Sequence, residues 1–374
     1  MKFVFWQNEI SLHQSAYLRA LAQRGHPCTW VVDCEVEEHR VAMGCGVPDV
    51  GGLQMVVAPD ERTMLSILDD EAETVHVLSG LWSTRPAEFA RHYCRKRRRR
   101  FGIISESANS HGWRGLLRRL RYRWAGLRQG DKPDFILAMG ELGVRWYAGA
   151  GFPRALLFPF AYVTEAEARV VARPARDDQG FHLLCLASLI VRKAPDLLLQ
   201  ALARLPAQKW TLRFLGDGPI RAQLEAFVNR AGWEDRVEFL GWLPHGAAMR
   251  VLAESDLLVL PSRFDGWGAV VNEALMRGVP VLCSDRCGAA DLLGEAWRGD
   301  VYPWRDVAVL AQTLERRISA GPPDEAQRSR IRAWARCLEG PAVADYFLAV
   351  MDHVYRGGPR PIAPWRRACD TSGS

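Results

Sequence analysis

The stretch PSRFDGWGAVVNEALMRGVPVLCSD, Pro261 to Asp285, decides how this chain reads. The apolar run Asp256-Leu-Leu-Val-Leu260 before it has the profile of a buried strand, so the unit is strand, loop, helix, strand. Gly278 and Pro280 stop the helix, because glycine takes the left-handed cap and proline cannot continue a helix. Gly266 and Gly268 bracket Trp267 just before the helix, leaving backbone N–H groups bare where the helix dipole favours an anion. Asp265 stands at the start of that loop. Glu273 lies eight positions later, about one turn into the helix, so both carboxylates can face the crevice beyond the strand end. Carboxylates repel phosphate, and beside a phosphate cradle their natural partners are sugar or ribose hydroxyls. The implied ligand is a nucleotide sugar.

The chain of 374 residues favours two domains, each able to bury a core. A hydrophobic content of 48% with 25% charged residues is ordinary for a globular protein. The longest apolar run, Phe181 to Val191, is far short of the roughly 18 residues a spanning helix needs. The start MKFVFWQNEI turns polar too early for a signal peptide. Nine cysteines without a CxxC pair point to free thiols in a reducing cytoplasm and give no zinc site.

In the first half, Lys2 to Trp6, Trp30 to Val32, Leu53 to Val57, Val75 to Leu78, Phe101 to Ser105, Asp134 to Ala138 and Ala155 to Phe158 read as strands between helical pieces. That alternation predicts a parallel α/β sheet, with ligands outside the carboxyl ends of the strands. Tyr162 to Gly180 turns polar and marks the domain boundary. In the second half, Phe181 to Val191 reads as one central strand ending on Arg192-Lys193. Two cations at a strand end can neutralise a pyrophosphate. The turn Gly216-Asp-Gly-Pro219 either approaches the same ligand or simply links strand to helix. Pro341 to Tyr355 carries a helical stripe, and the residues after it read as a mobile tail.

The net charge of +6 is unevenly spread. Arg91 to Arg100 reads RHYCRKRRRR, and Trp113 to Arg128 reads WRGLLRRLRYRWAGLR without an acid. In the second segment Trp113, Leu116, Leu117, Leu120, Trp124 and Leu127 recur at helical spacing among arginines. A basic amphipathic helix with tryptophans suits an anionic membrane interface; the competing reading packs the stripe on the core and leaves the arginines solvated. No RNP, zinc-finger or basic-zipper pattern accompanies the charge, so nucleic acid is not the expected partner.

The segment Asp265-GWGAVVN-Glu273, followed by ALMRGVPVLCSD, resembles the signature of the retaining glycosyltransferases of family 4: an acidic residue, seven intervening residues and a Glu. Asp265 departs from the usual Glu and shortens that side chain. The resemblance implies the GT-B fold, two Rossmann-like α/β domains with parallel sheets facing across a central cleft. Residues 1–165 would form the acceptor domain and residues 181–340 the nucleotide-sugar domain. A helix over 341–357 would cross back to the first domain, with 358–374 as the tail.

The activity so implied is metal-independent, cofactor-free transfer of a hexose, with retention, to a saccharide or lipid-linked saccharide in cell-envelope or extracellular polysaccharide synthesis. Lys193, Arg192 and the amides of Gly268 and Ala269 would meet the leaving diphosphate, Asp265 the sugar hydroxyls and Glu273 the ribose. Gly266, Trp267, Gly216 and Trp242 complete the implied donor site, Trp242 near the base. In the first half, Asn8 and His13 fall where the resembling enzymes place acceptor contacts, although either can cap the helix. Glu106 takes the position of the family's catalytic His, with His111 a few residues on, and the role stays open between the two. Such enzymes often work on lipid carriers at the cytoplasmic face, which fits a peripheral contact through Arg91–Arg100 and Trp113–Arg128. The alternatives are a sugar-nucleotide epimerase on the same fold, a Rossmann dehydrogenase, disfavoured because Gly266-Trp-Gly-Ala-Val-Val271 lacks the third glycine of GxGxxG, and a non-catalytic membrane or polyanion binder.

Overall fold

Strands buried on both faces need near-continuous apolar sequence, and the runs read above supply it. The computed structural model describes residues 1–35, 50–128, 132–163, 180–206 and 209–367. The chain divides into two units, Met1–Ala166 with Cys337–Ser374, and Glu167–Arg336.

The first unit is built on a seven-stranded parallel sheet in the order β3-β2-β1-β4-β5-β6-β7. Its strands are β1 (Phe3–Gln7), β2 (Cys28–Val32), β3 (Gln54–Val57), β4 (Val75–Ser79), β5 (Phe101–Ser105), β6 (Phe135–Met139) and β7 (Leu157–Phe160). Helices α1 (Leu12–Gln23), α2 (Glu61–Leu68), α3 (Arg85–Arg97), α4 (Gly112–Leu127) and α5 (Gly140–Gly149) connect them. The order reverses between β1 and β4, so the loops after these strands flank the switch point where such sheets bind ligands. A further helix, α12 (Gly340–Arg356), belongs to this unit although it lies at the far end of the chain. It packs on α1 so closely that a Cβ at Gly340 would stand 2.5 Å from the Ala16 carbonyl. Phe347 inserts against Phe3 and Tyr17, with ring centroids 5.1 and 6.3 Å apart.

Residues 358–367, expected to be part of a mobile tail, are tied down instead. Arg360 donates to the carbonyls of Ala155 and Leu157, and Trp365 is buried against the Tyr346 ring. The rest of the tail, 368–374, lies outside the described residues.

The second unit has a six-stranded parallel sheet in the order β10-β9-β8-β11-β12-β13. Its strands are β8 (Phe181–Leu186), β9 (Trp210–Leu215), β10 (Val237–Gly241), β11 (Leu257–Leu260), β12 (Val281–Ser284) and β13 (Gly299–Tyr302). The helices are α6 (Pro195–Leu202), α7 (Arg221–Ala231), α8 (His245–Glu254), α9 (Val270–Met276), α10 (Val307–Ala320) and α11 (Glu325–Ala335). The switch point lies between β8 and β11. The expected strand through Val191 ends at Leu186, because the next segment is taken up by the turn after β9: Leu189 donates to the Asp217 carbonyl at 2.9 Å. At the opposite end of this sheet a buried pair, Arg328 and Asp256 at 3.7 Å, ties α11 to β8 through the bond from the His182 amide to Asp256 at 2.8 Å.

Candidate functional site

At the switch point of the second unit, the segments after β8 and β11 are laced together. The Arg263 amide donates to the Arg192 carbonyl at 2.9 Å, and the Arg192 guanidinium returns a bond to the Phe264 carbonyl at 3.1 Å. Arg263 also grips Asp196 with both guanidinium nitrogens, at 3.0 and 2.7 Å. Between these ties the Lys193 ammonium pairs with the Asp265 carboxylate, both largely buried. The two residues therefore meet, as a cation for phosphate and an acceptor for sugar hydroxyls must if one ligand is to touch both.

The loop 265–268 is held from its far side by residues 286–289. The Asp265 amide donates to the Arg286 carbonyl at 2.9 Å, the Gly288 amide to the Asp265 carbonyl at 3.1 Å, and the Ala289 amide to the Trp267 carbonyl at 2.8 Å. Cys287 Sγ donates to the same carbonyl at 2.9 Å. Gly268 has φ +93°, and a Cβ there would lie 2.6 Å from Cys287 Sγ, so geometry and space both demand glycine. In the turn that follows, the Val271 amide donates to the Gly268 carbonyl at 2.9 Å and the Asn272 amide to the Ala269 carbonyl at 3.0 Å.

The side chain of Trp267 is turned inward. Its indole is 1% exposed and donates to Asn272 Oδ1 at 2.8 Å, so it anchors the loop in the core and offers a ligand only main chain. Gly216 has a reason of its own, since a Cβ there would strike the Ala187 carbonyl. Trp242, after β10, is 43% exposed and open to contact. Glu273 sits in the first turn of α9, half-buried, and burial alone pushes its carboxyl up to about 7. A ligand that donates hydrogen bonds would favour its charged form.

In the first unit, three residues from three strand ends converge. His13, in the first turn of α1, stacks on Tyr162 with centroids 5.3 Å apart and planes 2° from parallel. The Tyr162 hydroxyl donates to Glu106 Oε1 at 2.6 Å. The Val163 amide donates to the His13 carbonyl at 3.1 Å, which fixes the pair. The helix cap open to Asn8 or His13 is instead supplied by Ser11, whose Oγ accepts from the His13 amide. The Asn8 carbonyl accepts from Asp33 and Cys34. His111 is exposed at the N-cap of α4 and holds Asn109 Oδ1 through its amide at 3.0 Å and its ring at 3.1 Å. Tyr162 escaped the sequence reading because it sits in the polar segment taken as a boundary; the signal available was its place just after an apolar strand.

Two surface expectations also resolve. The α4 stripe does not pack on the core: Trp113, Leu116, Leu117, Leu120, Trp124 and Leu127 are all between 55 and 69% exposed. The helix meets the unit through Gly115 and Gly126, where a Cβ would strike the Ser110 and Ala150 backbones. The run Arg91–Arg100, by contrast, is partly occupied within the unit. Arg99 donates to the carbonyls of Asp70 and Glu71, and Arg100 stacks over Tyr355 at 4.9 Å. Among the described residues, no cluster of His, Cys, Asp and Glu has the makings of a metal site, the seven cysteines are free thiols, and no helix is long and apolar enough to cross a membrane.

Residues 169–334 match the family model described as glycosyl transferases group 1. The 2-deoxystreptamine glucosyltransferase of Streptomyces kanamyceticus is 34% identical over 137 residues, 36% of this chain and 35% of that protein. A D-inositol 3-phosphate glycosyltransferase of Mycolicibacterium smegmatis is 29% identical over 180 residues, 46% of this chain and 41% of its own. The chain thus spans about a third to two fifths of the curated relatives it matches. Among solved structures, the lipopolysaccharide outer core galactosyltransferase WaaB superposes with a TM-score of 0.71 at 16% identity, covering 94% of this chain and 99% of that one. Anabaena HepE in complex with UDP-glucose gives 0.64 at 14% identity, covering 94% and 99%. The chain has the GT-B fold of two Rossmann-like units, and its residues 169–334 are similar to the group 1 glycosyl transferases.

Proposed function

We propose that this protein transfers a hexose from a nucleotide sugar, with retention and without a metal, to a saccharide or lipid-linked saccharide in envelope or extracellular polysaccharide synthesis. The observation that carries the reading is the Lys193–Asp265 pair set beside the Gly268 loop and Glu273 at the β8/β11 switch point. The match of this unit to the group 1 family and to sugar transferases by name supports it. The diphosphate draws Lys193 away from Asp265, which releases the carboxylate to accept from sugar hydroxyls. Lys193, Arg192 and the amides of Gly268 and Ala269 then stabilise the charge that grows on the leaving oxygen, where such groups act most strongly. Glu273 accepts from the ribose. Attack from the leaving-group face, assisted by the donor phosphate, gives retention without a protein nucleophile. The first unit supplies acceptor contacts through His13, Tyr162 and Glu106, with Asn8 and His111 at its edge.

The exposed stripe of α4 adds peripheral contact with an anionic membrane at the cytoplasmic face, where a lipid-linked acceptor is reached. A panel of nucleotide sugars in thermal unfolding, with and without chelator, is the test. At least one member is expected to raise Tm equally in both conditions, and incubation with acceptor to give a product whose anomeric configuration matches the donor by NMR. No stabilisation by any member overturns the donor assignment, loss of it in chelator overturns metal independence, and release of an epimerised free sugar makes the protein an epimerase.

A further inference from the structure

The groove beside the α4 stripe holds a charge arrangement that membrane contact alone does not require. At about 100° per residue, Gly115, Tyr122 and Gly126 mark the face of α4 turned to the body, and the six exposed apolar side chains centre on the opposite face. Five arginines lie within the helix and Arg128 follows it, with no acid among them. Arg118 donates to the Asn109 carbonyl at 2.7 Å, and the other five fall on two flanks. On one flank Arg114, Arg121 and Arg128 are each taken up by an indole, over Trp113 at 5.2 Å, Trp82 at 3.9 Å and Trp124 at 4.2 Å.

On the other flank Arg119 and Arg123 border a cavity of about 440 Å³ between α4 and α5, with Leu116 and Leu120 on one wall and Arg145 and Trp146 on the other. That volume is within the range of ligand pockets, about 300–1,000 Å³. Among the described residues no acidic group or aromatic ring pairs with Arg119 or Arg123, and Arg145 reaches Glu141 only at 4.0 Å. Three arginines thus line one cavity together with Leu116 and Leu120 of the exposed stripe.

We infer that this groove binds one molecule of an anionic glycerophospholipid, its phosphate held by Arg119, Arg123 and Arg145 and its first methylenes laid along Leu116, Leu120 and Trp146. The occupant follows from charge and shape. Guanidinium forks match phosphate oxygens, and an apolar wall beside them suits the adjoining chain. A second copy of this protein docked stripe to stripe would set two such arginine sets against each other. The inference rests on the membrane contact proposed above and names the lipid it selects.

The test uses the full chain and a soluble short-chain phosphatidylglycerol below its micellar concentration, followed by calorimetry. Two triple variants carry the same charge change: Arg119→Gln/Arg123→Gln/Arg145→Gln in the groove, and Arg114→Gln/Arg121→Gln/Arg128→Gln on the stacked flank. At roughly fivefold per arginine near an anionic headgroup, the groove variant should lose about a hundredfold in affinity for the soluble lipid. The flank variant should stay within about threefold, with both helical by circular dichroism. Equal losses in the two variants, absence of binding by the wild type, or equal affinity for inorganic phosphate would each overturn the groove. So would a dimer broken by Leu120→Asp, or an acidic peptide held as tightly as the lipid. Co-sedimentation with phosphatidylcholine vesicles containing phosphatidylglycerol tests the underlying contact separately: a wild type that leaves those vesicles in solution sinks the membrane reading itself.

Discussion

The two units share a sheet logic and differ in what holds their switch points. In the second unit the ties are mostly main chain: backbone bonds between 263 and 192, between 265–268 and 286–289, and glycines that admit no side chain. In the first unit the convergence is made by side chains from separate strands, His13 on Tyr162 and Tyr162 on Glu106. On the proposed function, a backbone cradle recognises the phosphate that nucleotide sugars share, while a side-chain cluster can be rebuilt for each acceptor. The difference teaches that the generality of a site is set by which part of the chain makes it.

The harshest way to break the comparison is on the second unit's side. Lys193→Ala leaves the Asp265 carboxylate without its partner and, in the proposed mechanism, removes an ammonium from the leaving diphosphate. Loss of one such group costs about 10²–10³ in turnover, and transfer is expected to fall at the upper end of that range, measured by product formation at saturating donor. Unchanged turnover would mean that charge neutralisation is done elsewhere. Next in size is Gly268→Ala, which forces a Cβ toward Cys287 Sγ at a φ of +93°. Positive-φ strain and overpacking together should destabilise the protein by about 2–4 kcal/mol, read as a lowered midpoint in urea. Gly52→Ala, where a Cβ meets nothing within 4 Å, is the control.

The same contrast explains how much the sequence disclosed. Asp265, Glu273 and the loop glycines sit close along the chain and Lys193 at a strand end, which is why spacing points them to one crevice; the structure pairs Lys193 with Asp265. The parallel sheets were legible because buried strands must be apolar on both faces. Strand ends were not: nothing in Phe181 to Val191 announces that the turn at Asp217 will take over the backbone of Leu189. The placement of the Trp267 ring was not legible, because an aromatic beside two glycines suits a ligand and a core equally, and the bond to Asn272 puts it in the core. The Glu106–Tyr162 contact spans 56 positions, beyond the reach of any local pattern. The α4 stripe was periodic in sequence, but whether it faced core or solvent depended on Gly115 and Gly126 bringing the bare side of the helix against the unit.

Glu273 allows the comparison to be sharpened by pH. Its folded pKa of about 7 lies above the ordinary carboxyl value of 4.5, so the folded state holds the proton more tightly than the unfolded one. The sign follows: stability from this group is full below about pH 4.5 and is lost as pH rises through 7, because the unfolded chain binds fewer protons in that window. Donor binding should run the other way. If ribose hydroxyls donate to the carboxylate, the charged form binds, and the donor Kd should be about tenfold weaker at pH 6 than at pH 8, with proton release on binding. Glu273→Gln should flatten both profiles; a Kd in the wild type that ignores pH would remove Glu273 from the ribose contact.

The smallest effect belongs to the first unit and separates its chemistry from the donor cradle. Tyr162→Phe keeps the ring that stacks on His13 and deletes the hydroxyl that holds Glu106 Oε1. A hydrogen bond to a charged group is worth roughly 1.5–3 kcal/mol when intact, but Glu106 can turn to water once released, which brings the expected loss to about fivefold. If that carboxylate serves the acceptor as proposed, the loss should appear in kcat/KM for the acceptor, and the donor Kd should stay unchanged. Glu106→Gln should then cost more than Tyr162→Phe, and the double variant no more than Glu106→Gln alone, since the hydroxyl acts through the carboxylate. Additive losses would show that Tyr162 touches the acceptor itself. A weakened donor Kd would place the cluster in the service of the diphosphate cradle, and the contrast between a backbone-built and a side-chain-built site would fall with it.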